Sequence, residues 1–289
     1  MQIIDPDMVI KPGFYEERPR NPTNFQIIIF VTMSEPVFVA FATQKGGAGK
    51  STLTALVASY LYYVQNVEVV AVDCDSTQHT LDVYRKHDLL VTEENPLLRR
   101  TMHRFYSEFN KEPYEILLTS PSDAVAVAER YCNERVFLGE EEPKVVFFDI
   151  TGTMNVPEIV KLIASMDYIF VPITTETGDM ASSIAFASNV YNGMVATCDT
   201  CIKEIHLVWN KVNTREKTHL CNVIDNYIST LGISSLNTVL VKSTRFEKDG
   251  KEVGGNGIFR STMLPPDKKF LPGSNLVELV DEIRSIIKV

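Results

Sequence analysis

A glycine-rich segment flanked by two lysines carries the clearest chemistry in the sequence. From Lys45 to Lys50 the chain reads Lys-Gly-Gly-Ala-Gly-Lys, and a serine and a threonine follow. Glycines allow a short turn to direct backbone N–H groups at phosphate oxygens, and a following helix adds its positive N-terminal end. Lys50 would reach the β- and γ-phosphates, and the Ser51 hydroxyl would bind Mg²⁺. The residues predicted to bind the nucleotide in this segment are Gly46, Gly47, Ala48, Gly49, Lys50, Ser51 and Thr52.

Three aspartates follow apolar runs that are typical of buried strands. Asp73 and Asp75 come after Val-Val-Ala-Val, and Asp149 comes after Val-Val-Phe-Phe. Nucleotide hydrolysis needs carboxylates that hold a hydrated metal and orient a water for in-line attack. An aspartate at a strand end is often only a turn or helix cap. These three, however, occur in the order expected after a phosphate loop, so they are candidates for the metal and the attacking water.

The elements that must position these residues alternate in type from Pro36 onward. Short apolar runs rich in β-branched and aromatic residues alternate with longer helical patterns such as 53–63. This alternation predicts an α/β fold: a doubly wound, mainly parallel sheet with helices on both faces. Ligands of such sheets bind at the carboxyl ends of the strands. The predicted strands are 37–42, 67–73, 114–120, 145–149, 168–172, 205–209 and 238–241.

The glycine-rich segment resembles the deviant Walker A motif, KGGxGK[ST], of the ParA/MinD/nitrogenase iron protein group. The ordinary spacing, GxxxxGK[ST], would require glycine at position 44, where this chain has Gln44. In that group the first lysine of the motif contacts nucleotide across a dimer interface. The resemblance therefore implies a P-loop ATPase that uses ATP and Mg²⁺ and forms a homodimer when ATP is bound. It assigns catalytic roles to Lys45, Lys50 and Asp75.

The aspartates match the same group in order. Asp73-Cys-Asp75 resembles its DxD segment, which implies that Asp75 orients the attacking water and that Asp73 supports the metal. The run that ends at Asp149 resembles a Walker B strand, so the implied metal residues are Ser51, Asp73 and Asp149. Ser76-Thr77 replaces the group's common Pro-Gln, which leaves the geometry of this loop open.

Two further nucleotide contacts are implied by the resemblance. Gly152 resembles the glycine that senses the γ-phosphate, although Ile150-Thr151 replaces the group's usual Thr-Pro or Cys-Pro. Asn210 resembles an asparagine that binds adenine at the end of a strand. An asparagine in that position is also a common turn residue, so both interpretations of Asn210 stay open.

The C-terminal region, beginning Gly257-Ile-Phe-Arg-Ser-Thr-Met-Leu-Pro-Pro, resembles ParA-like ATPases encoded with conjugative transfer genes and named TraA. This implies partition, positioning or conjugative transfer of mobile DNA, with slow hydrolysis stimulated by a ParB-like or conjugation-machinery activator. The dimer would bind DNA non-specifically, although interspersed acidic residues make an ordinary solvated face equally plausible. The candidate DNA contacts are Arg215, Lys217, Lys242, Arg245, Lys248 and Lys251.

Other functions are tested by the same sequence. A MinD-like positioning ATPase would need a basic amphipathic C-terminal helix. Here acidic residues outnumber basic ones opposite the apolar stripe, so we expect core packing and no membrane anchor. Cys74 and Cys132 lie in no recognisable cluster motif, which argues against an iron–sulfur reductase. An ATP-dependent small-molecule ligase of the same fold and a non-hydrolysing adaptor remain alternatives.

Composition indicates the compartment and the domain boundaries. Five scattered cysteines in 289 residues predict reduced thiols in a cytoplasmic protein, and association with the nucleoid would follow from DNA binding. Cys198 and Cys201 form a lone CxxC, which is too weak to predict zinc. With a net charge of −9, any nucleic-acid contact must use a local basic patch. Residues 1–32 are expected to be an N-terminal extension, disordered or upstream of a start at Met33, and 33–289 a single ATPase domain.

Overall fold

The computed structural model describes residues 35–75, 78–152, 156–197, 200–213, 219–247 and 258–289. The predicted extension 1–32 and the alternative start at Met33 lie outside these ranges. The described strands are β1 (Val37–Phe41), β2 (Val69–Asp73), β3 (Ile116–Leu118), β4 (Val145–Asp149), β5 (Tyr168–Ile173), β6 (Glu204–Trp209) and β7 (Ser234–Ser235).

Helices fill most of the chain between these strands. They are α1 (Lys50–Tyr63), α2 (Thr80–Glu94), α3 (Pro96–Phe109), α4 (Ala124–Phe137), α5 (Pro157–Ala164), α6 (Thr177–Val190), α7 (His219–Ser229) and α8 (Leu276–Ile287). A π-helical turn, Tyr191–Val195, continues α6, and 3-10 turns cover Thr244–Glu247 and Lys268–Phe270.

The strands form one parallel sheet in the order β3-β2-β4-β1-β5-β6-β7. Every described strand pair is parallel. From β1 the chain moves first to one side of the sheet and later, at β5, to the other. The order therefore reverses beside β1, and open α/β sheets bind ligands in the crevice at such a reversal. The predicted doubly wound α/β fold is confirmed.

Alternate residues of the strands build two cores, one on each face. On one face Val39, Phe41 and Phe147 pack with α1 and α8, and α1 is buried along nearly its whole length. On the other face Ala40, Phe148 and their neighbours pack with α4 to α7. Because both faces are covered, the strands have the continuously apolar sequences on which the prediction relied.

The last predicted strand is wrong. Residues 238–241 form no strand; β7 lies earlier, at Ser234–Ser235, and Val241 makes only an isolated bridge to Val212. The backbone N–H groups of Asn237 and Thr238 donate to the Glu282 carboxylate at 2.7 and 2.9 Å. Glu282 on α8 thus takes the Thr238 N–H group, whereas Leu240 N–H donates to Trp209 O of β6. The segment therefore forms no continuous ladder, and an apolar pattern alone cannot reveal this.

Helix α8 packs into the core, as its sequence predicts. Leu276, Leu279, Val280, Ile283 and Ile287 are buried against α1 and the sheet. Within the described residues, no helix is both long enough and apolar enough to cross a bilayer.

Candidate nucleotide-binding site

The glycine-rich loop leaves β1 at the point where the strand order reverses and leads into α1. Gly47 and Gly49 have φ values of 79° and 98°, which L-residues with a side chain rarely adopt. A Cβ at Gly49 would also lie 2.6 Å from Asn210 Nδ2. Glycine is thus required at position 49 for two reasons: the positive φ of the backbone, and the close contact with Asn210 at the end of β6. Helix α1 then begins at Lys50, so its first N–H groups face the loop.

The loop borders a cleft of about 850 Å³ at the carboxyl ends of β1, β2 and β4. This volume lies in the range of small-molecule and cofactor sites. Of the predicted residues, those that line the cleft are Gly46, Gly47, Gly49, Lys50, Ser51, Thr52, Asp75, Asp149 and Gly152. Lys45, Ala48, Asp73 and Asn210 are not among the lining residues.

Asp149 lies at the floor of the cleft with one carboxylate oxygen unused. It is 2% exposed, and its Oδ2 has no hydrogen-bond partner among the described residues. Burial raises the pKa of Asp149 to about 7, opposed by a hydrogen bond from Ser51 and by the charge of Lys50. The same burial lowers the pKa of Lys50, while Asp149 and Asp75 act in the opposite direction. A buried carboxylate with an orphaned oxygen is costly unless a cation binds it.

Asp73 is the neighbour of Asp149 across the sheet, and both of its oxygens are occupied. Its Oδ2 accepts from the N–H groups of Leu81 and Asp82 at 2.9 and 3.2 Å, and its Oδ1 accepts from Asp75 N–H at 3.2 Å. Asp73 thus caps the first turn of α2. Burial raises the pKa of Asp73, and these backbone hydrogen bonds oppose the shift.

The donor set suits a hard cation held partly by its ligand. Ser51 and Asp149 present oxygen atoms beside Lys50, and Mg²⁺ prefers a few protein oxygens plus phosphate and water. No group of three or more His, Cys, Asp or Glu side chains could hold a metal by itself in the part of the chain that the structure describes. The residues therefore fit Mg²⁺ arriving with a phosphate ligand and do not form an all-protein metal cage.

Gly152 packs directly against the glycine-rich loop. A Cβ there would lie 2.6 Å from the carbonyl oxygen of Gln44 and 2.8 Å from that of Thr43. Only glycine allows the segment after β4 to approach the loop this closely. A movement of the loop would therefore displace Gly152 as well. The role of Gly152 as a sensor of the γ-phosphate stays a prediction.

Asn210 binds the protein itself. Its Nδ2 donates to Ala48 O at 2.8 Å, and its Oδ1 accepts from Lys211 N–H at 3.0 Å. The side chain is buried beneath the loop, so adenine recognition by Asn210 stays a prediction.

The next residue, Lys211, lines the cleft but was not predicted from the sequence. Its position directly after Asn210, at the carboxyl end of a predicted strand, could have indicated that it lines the cleft. Tyr84 of α2 also lines the cleft and was missed.

Lys45 lies between Gln44 and Gly46, which both line the cleft, but does not line the cleft itself. Its side chain is 51% exposed, and its Nζ is 3.2 Å from Asp179 Oδ1 at the start of α6. The ammonium group is therefore available at the surface next to the phosphate site.

The remaining candidates fall on other parts of the chain. Among the proposed DNA contacts, Lys242 is exposed, whereas Arg245 donates to the carbonyl oxygens of Phe270 and Pro272, both at 2.8 Å. Arg245 thus anchors the C-terminal segment. Cys201 is exposed, and Cys74 and Cys132 are buried. Outside the described residues lie Arg215, Lys217, Lys248, Lys251 and Cys198.

Comparison with known proteins identifies the family. The family model of the CobQ/CobB/MinD/ParA nucleotide binding domain matches residues 39–252. Similar solved structures include a McdA–ATP complex from Cyanothece (11% identity, 89% of this chain and 98% of that one, TM-score 0.53).

Two others are a MinD protein with Mg-ADP from Pyrococcus horikoshii (14% identity, 87% and 97%, TM-score 0.50) and a Borrelia burgdorferi plasmid partition protein with AMPPNP (15% identity, 86% and 100%, TM-score 0.50). At these identities the structures show a shared fold. Because the family model spans most of the chain, including the glycine-rich loop and all three aspartates, this protein belongs to the CobQ/CobB/MinD/ParA family of P-loop nucleotide-binding proteins.

Proposed function

We propose that this chain is a Mg-ATP-dependent dimerisation switch that hydrolyses ATP slowly and acts in the partition, positioning or conjugative transfer of mobile DNA. The observation that carries the proposal is the placement of Lys45. It is half exposed beside the phosphate cleft, and it does not line the cleft of its own subunit. A lysine in this position is suited to reach a triphosphate in a second subunit.

The contact that holds Lys45 is weak enough to exchange. Ion pairs at the surface typically stabilise a protein by about 1 kcal/mol or less. In the Lys45–Asp179 pair the lysine side chain is 51% exposed. Hydrogen bonds between an ammonium group and phosphate are charge-assisted and stronger. When two subunits close face to face, Lys45 can therefore leave Asp179 for the partner's nucleotide.

The other residues of the cleft divide the chemistry of hydrolysis. Lys50 and the N–H groups of the loop would hold the phosphates, and Ser51 and Asp149 would hold the metal, which would supply charge neutralisation at the transferred phosphate. Asp75 lines the cleft and has a carboxylate that can orient the attacking water. Asp73 fixes the start of α2, and with it the segment that carries Asp75.

A role with DNA is favoured by the plasmid partition protein that shares the fold, and a positioning role by the MinD protein. The family also includes CobQ and CobB, so family membership alone does not choose between DNA positioning and small-molecule ligation. The signature lysine beside the cleft favours the dimerising ATPases.

Size-exclusion chromatography with light scattering tests the proposal. With Mg-ATP the wild type should become a dimer, Lys45→Ala should bind ATP but stay monomeric, and Lys50→Ala should lose ATP binding. Lys268→Ala, which replaces an exposed lysine on a distant 3-10 turn, should dimerise normally. A Lys45→Ala protein that dimerises as well as the wild type would contradict the proposed role of Lys45.

The same samples can be used to test whether the partner is DNA or a small molecule. Addition of duplex DNA should shift the ATP-bound dimer but not the monomer, and the shift should weaken steeply as salt rises. Hydrolysis stimulated by a small carboxylic acid, and unaffected by DNA, would favour the ligase alternative instead.

A further inference from the structure

Two consecutive residues at the end of β6 bind two consecutive carbonyl groups of the glycine-rich loop. Lys211 Nζ donates to Gly47 O at 2.7 Å, and Asn210 Nδ2 donates to Ala48 O at 2.8 Å. A third carbonyl, that of Lys45, accepts from Lys50 Nζ at 3.3 Å. Side chains from outside the loop therefore fix the orientation of two of its peptide groups.

The backbone of Lys211 is in an unfavourable conformation that brings its side chain to the loop. Its φ is 55°, in the left-handed region that costs a residue with a side chain about 1 kcal/mol or more. Asparagine or glycine would occupy this position with less strain. Strain that the fold tolerates at a cleft-lining residue indicates a role for that side chain.

Gly47 has few packing contacts besides its hydrogen bond with Lys211. A Cβ built on Gly47 would meet no atom within 4 Å, so no described neighbour packs against that side of the glycine. Its φ of 79° is one of several values open to a glycine in an exposed loop. The Lys211 contact therefore restricts rotation of the peptide group that joins Gly47 to Ala48.

The direction of a carbonyl sets the direction of the next N–H group. In a trans peptide unit the C=O of one residue and the N–H of the next point in opposite directions. Binding of Gly47 O by Lys211 thus fixes the N–H of Ala48, and binding of Ala48 O by Asn210 fixes the N–H of Gly49. Backbone N–H groups arranged in this way are what a phosphate loop offers to an anion.

We propose that Lys211 is a positioning residue that holds the Gly47–Ala48 peptide of the phosphate loop in its anion-binding orientation before the nucleotide arrives. The inference rests on the proposed function, because it gives the loop a phosphate ligand. Lys211 acts through the loop, so it strengthens binding of ADP and ATP alike.

The test compares wild type, Lys211→Met, Lys211→Arg and the control Lys268→Met. Calorimetry with Mg-ADP and Mg-ATP should show that Lys211→Met loses about tenfold or more in affinity for each, by the same factor, since a hydrogen bond from a charged donor is lost. KM for ATP should rise while kcat is retained. Lys211→Arg should recover much of the loss, and Lys268→Met should match the wild type.

Hydrogen exchange in the nucleotide-free protein gives a second readout that a merely structural role would not move. The amide of Ala48 should exchange faster in Lys211→Met, while the amide of Gly49, which depends on Asn210, changes less and the thermal unfolding midpoint stays within a few degrees of the wild type. If Lys211→Met folds poorly, Lys211→Gly removes the same side chain and relieves the backbone strain, so it should show the same exchange and affinity changes.

The outcomes separate this inference from the proposed function. Unchanged affinities and unchanged loop exchange in Lys211→Met would overturn the role of Lys211 even if the wild type binds ATP. Loss of ATP affinity with ADP affinity intact would also overturn it, because Lys211 would then act as a γ-phosphate contact. A wild type that binds no nucleotide would contradict the proposed function, while the exchange comparison would still decide whether Lys211 orders the loop.

Discussion

The ends of β2 and β4 lie side by side in the sheet, with Asp73 and Asp149 in register, yet their carboxylates have opposite surroundings. Both are buried. Asp73 accepts three backbone hydrogen bonds, from Asp75 and from Leu81 and Asp82 at the start of α2, whereas Asp149 has an oxygen with no partner in the described chain. Two aspartates that both end a buried strand therefore have different hydrogen-bonding environments.

The difference follows from what comes after each strand. Helix α2 begins seven residues after Asp73, and its first N–H groups turn back towards that carboxylate. The Asp149 carboxylate instead interacts with two side chains at the start of α1, through a hydrogen bond from Ser51 and the charge of Lys50. We infer that Asp73 mainly holds the local structure, and that Asp149 keeps an oxygen free for a cation.

Substitution of the two aspartates should have its largest effect on the rate of ATP hydrolysis. Asp149→Asn keeps the side-chain shape but removes the charge, so ATP turnover with Mg²⁺ should fall about a thousandfold because several kcal/mol of charge stabilisation are lost. Phosphate release at saturating Mg-ATP measures this. Asp73→Asn is the matched control and should lose only about tenfold, as outer residues of metal sites do. Similar losses in the two variants would contradict the separation of roles.

The second effect is on stability in the absence of metal. Burial raises the pKa of Asp149 from 3.8 to about 7. The folded state therefore holds this proton more tightly than the unfolded state, and wild-type stability falls as pH rises from about 4 to about 7. An asparagine at position 149 does not ionise, so it does not lose stability in this way as pH rises. In EDTA at pH 8, the free energy of unfolding of Asp149→Asn should exceed that of wild type by up to about 4 kcal/mol.

Urea unfolding at pH 4.5 and pH 8 checks this prediction. The advantage of Asp149→Asn should shrink to about 1 kcal/mol at pH 4.5, because the folded wild type is protonated there and the pH lies less than one unit above the unfolded pKa of 3.8. Saturating Mg-ADP at pH 8 should reduce the advantage, because the ligand stabilises the wild type more. An advantage of equal size at both pH values would show that Asp149 is not ionised against a burial penalty.

The same comparison shows how far the sequence can be interpreted. The glycine-rich loop, the strand ends and the sheet follow from local patterns, since glycine placement and apolar runs report directly on backbone geometry. The hydrogen bonds of Asp73 and Asn210 could not be predicted, because their partners are backbone atoms of Leu81 and Ala48 that become neighbours only on folding. Lys211 and the displaced β7 depend on contacts of the same long-range kind.

The smallest of the expected effects concerns Asp73 and distinguishes a helix cap from a metal residue. Asp73→Ala leaves the N–H groups of Leu81 and Asp82 without their acceptor, which should lower the free energy of unfolding by about 1–3 kcal/mol. Guanidinium unfolding measures the loss, and hydrogen exchange should accelerate at those two amides.

Asp82→Ala is the matched control for this experiment. It removes an acidic side chain from the same turn of α2, where it pairs with the exposed Lys86, but it leaves the Asp73 acceptor in place. Its cost should stay below about 1 kcal/mol. Should Asp73→Ala keep full stability and instead lose Mg²⁺ affinity as strongly as Asp149→Asn, Asp73 would be a metal residue, as the DxD resemblance implies. The two strand ends would then be equivalent in function as well as in register.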